Sequence, residues 1–590
     1  MNPNPSSPAD GLPQASPPVP APAPVALTAA QEAADFVARI FADAPQAAAA
    51  PEGVVVEPTP APAALPPPPT DWPARASHPL QGQRVLVLGL GASGLAMARW
   101  CVRCGAQVSV ADTRSAPPQL AQMQAELPSV QFISGPLDAA LLYAQAPQWV
   151  LRSPGLQPAK IAPLLEAARA CQIRVKAELD LYSEALELLR QQHGYAPRVL
   201  AVTGTNGKTT VTSLTAHLLD YAGIDAVKAG NIGPTLLDTL AQRLQAGALP
   251  QAWVLELSSF QLDGVQGFAP TAATVLNVTQ DHLDWHGSMA AYAAAKACIF
   301  GPQTLRVLNR DDPQVMAWRP APEVEPPGKG RARAAKAAPL PPHCSFGLQP
   351  PQHPGDWGLE TVNGLAWLVR ALEEEDHGQP RSRRAPQQEL HIQRLMPADA
   401  LRIRGRHNSS NALAALALAL AGGASLASML YGLREYRGEP HRVESIGMVD
   451  EVEYFDDSKG TNVGATVAAL GGLGAERRLV VILGGDGKGQ DFSPLAEPIA
   501  QTARAVVLIG RDAPLLRQAL QGSGVPLLDA ADMPHAVTLA AQHAQAGDAV
   551  LMSPACASLD MFRDYAHRAA VFIDAVQALA HERGQSLEGG

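Results

Sequence analysis

Seven consecutive residues, Gly204, Thr205, Asn206, Gly207, Lys208, Thr209 and Thr210, have the composition of a phosphate cradle. They follow the apolar run 199–202 and open a helix-patterned stretch from Val211 to Leu219. A glycine-rich turn between a buried strand and a helix N-terminus aims several backbone N–H groups at one spot. Such a spot suits polyphosphate, with the Lys208 ammonium on the β- and γ-phosphates and the Thr209 hydroxyl on Mg2+. The usual motif has four residues between its glycines, whereas Gly204 and Gly207 are separated by two, so the loop is a variant. It implies a nucleoside triphosphate and leaves the reaction open.

Other ionisable groups sit where strands should end. Glu256 closes the apolar run 253–257, and in open α/β sheets the carboxyl ends of strands face the ligand crevice. An acid there can hold the Mg2+ that bridges nucleotide phosphates. Asn277, Asp281, His282 and Asp284 crowd together after a second apolar run, 274–278, which favours a further metal or phosphate locus. Lys296 lies within a helical pattern and on its own reads as a solvated lysine. Three later segments, 456–462, 484–488 and 553–560, follow strand-like runs and mix small residues with hydroxyls and cations. They suit an anionic small molecule whose carboxylate is held by Lys488, Lys459 and hydroxyls such as Ser558 and Thr461. Near the start, Gly89, Gly91 and Gly94 form G-x-G-x-x-G, and Asp112 follows about 20 residues on, where a dinucleotide enzyme holds its ribose. That pattern implies a diphosphate and leaves the base and sugar open.

Three runs of alternating strand and helix must position these groups, so the fold class is α/β with three domains. The expected boundaries are 80–194, 195–437 and 438–590, with two low-complexity surface insertions near 319–342 and 373–389. Residues 1–79 are dominated by Pro and Ala and read as a disordered extension. Within it, Thr28 and Gln31 match a capping box, and Phe36, Val37, Ile40 and Phe41 share one helical face that would suit docking to another protein. A chain of 590 residues, 47% hydrophobic, can form several cores. Its net charge of −10, without a basic block, argues against nucleic acid. Six cysteines without a framework suggest a reducing compartment, and Cys101 and Cys104 read as core packing. The Ala/Leu run 412–421 is too short to span a membrane and reads as a buried helix. With no secretory signal in view, a cytoplasmic protein is expected.

Over roughly residues 81–585 the chain resembles the Mur ligases, with the phosphate loop common to that family and to folylpolyglutamate synthase. Segments 255–262 and 553–560 are similar to the D-glutamate-adding branch. The resemblance implies a Rossmann-like UDP-binding domain, a central P-loop ATPase-like domain and a C-terminal Rossmann-like domain. It implies ATP, two Mg2+ ions, UDP-N-acetylmuramoyl-L-alanine and D-glutamate, in a monomer. Ser93 and Gly94 would meet the diphosphate, Asp112 and Thr113 the uracil, and Ser153, Pro154 and Gly155 would line the same pocket. Thr209 and Glu256 would hold one Mg2+; His282 and a carbamylated Lys296 would hold the other. Asn231 and Ser258 would touch the muramoyl-alanine end, and Asn411, Arg442 and Asp457 would frame the adenosine. Lys488, Ser558, Leu559 and Thr461 would bind D-glutamate, with Tyr565 where many relatives carry Phe. Another Mur ligase, or a folylpolyglutamate synthase-like enzyme, shares most of these features. A nicotinamide-dependent dehydrogenase would explain residues 89–112 alone, and a non-catalytic nucleotide-binding scaffold would bind ATP without turnover.

Overall fold

The computed structural model describes Thr70, Trp72 and residues 78–320, 340–373, 390–475 and 477–587. The expected helix around Phe36 and most of both insertions lie outside them. The first sheet contains β1 (Arg84–Leu88), β2 (Gln107–Asp112), β3 (Gln131–Ser134), β4 (Trp149–Arg152) and β5 (Arg174–Lys176). Its order is β3-β2-β1-β4-β5, with every pair parallel. Strand order reverses between β1 and β4, and a crevice opens at that switch point. The glycine loop after β1 and Ser153–Gly155 after β4 therefore flank one crevice.

The central sheet holds β6 (Arg198–Thr203), β7 (Ala226–Gly230), β8 (Ala252–Glu256), β9 (Ala272–Val275), β10 (Leu305–Asn309) and β11 (His343–Phe346). All are parallel in the order β11-β10-β9-β6-β8-β7. Central β6 and its neighbours β8 and β9 are those after which the phosphate loop, Glu256 and the Asn277–Asp284 segment emerge. Buried on both faces, these strands are almost wholly apolar, as a parallel sheet requires. The Ala/Leu run is confirmed as a buried helix, Arg406–Ala421, packed on the phosphate-loop helix Lys208–Tyr221. No helix among the described residues is long and apolar enough to cross a membrane.

Two antiparallel features were not anticipated. A three-stranded meander, β12 (Trp357–Val362), β13 (Leu365–Glu373) and β14 (Leu390–Pro397), follows the central sheet, and the second insertion separates its last two strands. The third domain opens with an antiparallel pair, β15 (Glu444–Val449) and β16 (Val452–Asp456). It continues through β17 (Leu479–Gly484), β18 (Ala503–Ile509), β19 (Leu527–Asp529) and β20 (Ala549–Met552), which are parallel, as is the β16–β20 pair. The sheet order is β15-β16-β20-β17-β18-β19.

The boundary at residue 80 needs correction. Trp72 is 2% exposed, its ring lies 6.2 Å from that of Trp100, and its indole N–H donates to Gln192 Oε1 at 2.9 Å. Arg103 holds the segment down through the Thr70 and Trp72 carbonyls. A lone tryptophan in a Pro-rich stretch gives no periodic signal, so composition hid this anchor. Trp72→Ala is expected to cost about 3–5 kcal/mol of stability in urea unfolding, the usual cost of emptying a buried aromatic site. Cys101 and Cys104 are buried as expected, and burial pushes both thiols up, away from reactive thiolates.

Candidate active site

The phosphate loop is held open by its glycines. Gly204 and Gly207 take φ of +155° and +83°, and a Cβ on Gly207 would lie 2.8 Å from Asn411 Oδ1. Asn277 pins the loop from the end of β9: its Oδ1 accepts the Asn206 N–H at 2.8 Å, and its Nδ2 donates to the Asn206 carbonyl at 3.1 Å. Thr205 Oγ1 lies 3.1 Å from both the Thr279 carbonyl and the Tyr292 hydroxyl. Lys208 Nζ donates to the Gly204 and Thr205 carbonyls at 2.9 and 2.8 Å. Burial lowers the Lys208 pKa, with Glu256 acting in the opposite sense.

Glu256 is 2% exposed at the end of β8. Its Oε1 accepts from Asn231 Nδ2 at 2.7 Å, while its Oε2 is buried without a hydrogen-bond partner. An orphaned buried carboxylate oxygen is costly unless a cation or donor meets it. Thr209, Glu256, Lys208 and Asp281 line one cavity of about 540 Å³ with Asn231, Glu439, His441, Arg442, Lys459, Thr461 and Tyr565. That donor set of carboxylates and hydroxyl suits a hard divalent cation beside phosphate.

Lys296 corrects the reading of a solvated side chain. It is 1% exposed, donates to the Gly204 carbonyl at 2.9 Å and lies 4.5 Å from the Tyr292 ring centroid. Its helical pattern was right, but Ala293, Ala295 and Tyr292 share the buried face, and the alanines conceal that face from a periodicity count. Burial, reinforced by Lys208, drives its pKa well down. His282 adopts a left-handed φ of +53°, with its ring 4.7 Å from Phe260. Partial burial lowers its pKa; Asp281 opposes this, and Lys208 and Lys296 add to it.

The third domain closes directly on the loop. Arg442 Nη2 donates to Thr209 Oγ1 at 2.6 Å, and Asn462 Nδ2 to Asn206 Oδ1 at 3.2 Å. An adjoining cavity of about 260 Å³ is lined by Thr210, Asn411, Arg442, Asp457, His407 and Phe346 among others, and shares Asn206 and Gly207 with the first. The expected adenosine set, Asn411, Arg442 and Asp457, thus meets there. Burial raises Asp457 to about 7, with the Ser553 hydroxyl 2.7 Å away pulling the other way. His407 was missed; burial lowers it to about 4, so it is neutral, and its Nδ1 is buried without a partner.

Of the expected D-glutamate set, Lys459, Thr461 and Tyr565 line the main cavity, and Lys459 Nζ sits 3.6 Å over the Tyr565 ring. Lys488, Ser558 and Leu559 do not line it. Lys488 and Leu559 are exposed and Ser558 is buried, on two loops zipped together by reciprocal Asp486–Ala557 backbone bonds of 2.9 and 2.8 Å. Ser258 also lies off the cavity lining, its hydroxyl used in a capping box with Gln261.

In the first domain the residues expected to hold UDP all fall at carboxyl ends of β1, β2 and β4. Gly94 is obligatory, since a Cβ there would sit 2.0 Å from the Gly89 carbonyl oxygen. Glu178, a buried carboxylate that accepts the Leu237 N–H at 3.1 Å, begins the helix that leads to the central domain. Asp112, expected at the uracil, is engaged by its own chain. Its two oxygens accept the Leu90 and Arg114 N–H groups and the Arg114 guanidinium, at 2.8–2.9 Å. Burial alone would raise its pKa, but these bonds bring it down to about 2. Asp112 thus ties its own loop to the glycine turn. Sequence reading also missed Glu439 and His441, although His441 adjoins the singled-out Arg442 and precedes the acidic pair at 456–457.

Comparison with known proteins agrees with this layout. Three family models match: the N-terminal domain of MurD-like Mur ligases over residues 83–177, the Mur ligase middle domain over 202–336, and the Mur ligase glutamate ligase domain over 441–556. A UDP-N-acetylmuramoylalanine–D-glutamate ligase of Albidiferax ferrireducens is 63% identical, the alignment covering 86% of this chain and 99% of that one. Enzymes of the same name from Polaromonas sp. and Burkholderia mallei are each 56% identical, covering 86% of this chain and 100% and 99% of theirs. The chain belongs to the Mur ligase family.

Proposed function

We propose that this protein joins D-glutamate to the L-alanyl carboxylate of UDP-N-acetylmuramoyl-L-alanine, using ATP, in peptidoglycan precursor synthesis. The observation that carries the reading is the 63% identity to an enzyme of that name along nearly its full length. The cavity adds the chemistry, because it joins a phosphate loop, an orphaned carboxylate and a cationic, hydroxyl-bearing wall from another domain.

A carboxylate does not condense with an amine in water unless its oxygen becomes a leaving group. In this reading the L-alanyl carboxylate attacks the γ-phosphorus of ATP, the bond to ADP breaks, and an acyl phosphate forms. Lys208 and the loop N–H groups hold the β- and γ-phosphate oxygens as charge shifts toward ADP. Arg442 holds the Thr209 end of the cradle and places a second cation at the phosphates. Thr209 with Glu256, and His282 with carbamylated Lys296, would hold two Mg2+ ions, whose chemistry is to neutralise and polarise the phosphates. The D-glutamate amine then attacks the acyl carbon, and inorganic phosphate leaves. Lys459 and Thr461 bind the D-glutamate carboxylates, and the first-domain loops bind the UDP moiety, so three domains fix the reactants together. Contact of Arg442 and Asn462 with the loop keeps water from the acyl phosphate. The protein acts as a monomer.

Phosphate release from ATP with UDP-N-acetylmuramoyl-L-alanine is the test, with D-glutamate, L-glutamate and L-lysine compared as third reactant. Release should depend on D-glutamate and stay at background with the other two. Turnover with L-lysine instead would assign a different Mur ligase.

A further inference from the structure

An imidazole that a buried carboxylate orients on the cavity wall has no part in the scheme above. His441 Nδ1 lies 2.6 Å from Asp456 Oδ2. Asp456 is fully buried at the end of β16, and its other oxygen accepts the Ser458 N–H at 2.9 Å. The backbone fixes the ring from both sides. The His441 N–H donates to Glu444 Oε2 at 2.8 Å, and its carbonyl accepts the Lys459 N–H at 3.1 Å. His441 holds a φ of +64°, a strained choice for a non-glycine residue, and such strain concentrates at functional positions. With Nδ1 engaged by Asp456, Nε2 is left, and His441 lines the main cavity together with Lys208, Thr209, Lys459, Thr461 and Tyr565.

We propose that His441, oriented by Asp456, is the base that takes the proton from the D-glutamate nitrogen as the amide forms. This inference rests on the D-glutamate ligase reading. D-Glutamate reacts as the free amine, its ammonium proton first lost to solvent. The nitrogen lone pair forms the C–N bond, the carbonyl π pair moves onto oxygen, and the acyl carbon becomes tetrahedral with a positively charged nitrogen. From that species the neutral amine leaves more readily than phosphate unless one N–H proton is removed. Nε2 takes that proton, the C–O bond to phosphate then breaks with its electron pair, and the imidazolium passes its proton on to the departing phosphate. Asp456 holds the Nδ1–H tautomer and stabilises the imidazolium, as the carboxylate does in acid–base triads.

The charged and titratable surroundings suit a base that cycles between neutral and cationic. Asp456 faces the ring from β16, Glu444 from β15, and Glu439 and Arg442 flank it in sequence. Lys459 and Tyr565 line the same cavity beside it, the Tyr565 ring centroid being 6.1 Å away. Burial raises the Asp456 carboxyl, and the His441 hydrogen bond offsets part of that rise. Arg568, buried behind Ser458, adds a further positive charge toward Asp456.

The two half-reactions separate this role from a structural one. In His441→Gln, borohydride trapping of the acyl phosphate formed without D-glutamate should stay within threefold of wild type, which also certifies the fold. Single-turnover amide formation with D-glutamate should fall about 10²–10⁴-fold, the usual worth of a positioned base. Hydroxylamine, a nucleophile that needs little base help, should give hydroxamate at near the wild-type rate. Asp456→Asn should repeat the pattern. Equal loss in both half-reactions, or D-glutamate turnover within tenfold of wild type, would overturn the role of His441. Absence of D-glutamate turnover in the wild type would instead overturn the ligase reading.

Discussion

Lys208→Ala should lower kcat/KM for ligation by about 10³-fold or more, the scale of losing a preorganised charge at a transferring phosphoryl group. The lysine begins the helix Lys208–Tyr221, and its ammonium bridges two carbonyls of the very loop whose N–H groups face the phosphates. It therefore acts at fixed range, without reorganisation as charge moves toward ADP. Burial disfavours its charge, and Glu256 is the anion that offsets this most, so the pair is poised to be completed by a polyanion and a cation together. Lys208→Ala leaves the apolar core beneath the loop intact, and thermal unfolding should move by only a few degrees. Steady-state phosphate release across ATP concentrations checks the prediction. A loss below tenfold would mean that the loop binds nucleotide without driving transfer.

Lys296→Ala should lose on the order of 10³-fold in rate, the several kcal/mol that a metal-held charge supplies, and millimolar acetate or formate should recover at least tenfold of it. Carbamylation requires a neutral amine to attack CO2. Burial beside Lys208 pushes Lys296 in that direction, which an exposed lysine would not experience. The competing role is a strut, since Nζ also supports the Gly204 carbonyl. The two roles part on rescue. A lost strut cannot be replaced by a diffusing carboxylate, whereas a lost carbamate can. Full activity in Lys296→Ala would remove the residue from the metal site.

How far the sequence revealed this site depended on how local each signal was. The phosphate loop, Glu256 and the Asn277–Asp284 segment were legible because each is a polar cluster straight after an apolar strand, and the sheet order places those strands side by side. Lys296 was illegible from pattern because its buried face is built from alanine, and the family resemblance alone marked it. His441 was missed because its partner Asp456 lies across an antiparallel pair, β15–β16, that has no strong alternation. Trp72 was missed because it works as a single anchor, with no repeat to detect. Asp112 fitted a familiar spacing, yet Arg114, two residues on, commits its carboxylate to the protein itself. Local spacing revealed the donors; which of them are already paired depended on side-chain contacts, made by a residue two places on for Asp112 and across strands for His441.

The acyl phosphate is the centre of the mechanism, and oxygen transfer tests it most directly. UDP-N-acetylmuramoyl-L-alanine labelled with 18O in its carboxylate should be turned over with ATP and D-glutamate, and the released phosphate examined by mass spectrometry. Activation through an acyl phosphate places one labelled oxygen in each phosphate released, in amounts equal to the amide formed. Unlabelled phosphate, or label recovered in AMP, would contradict it.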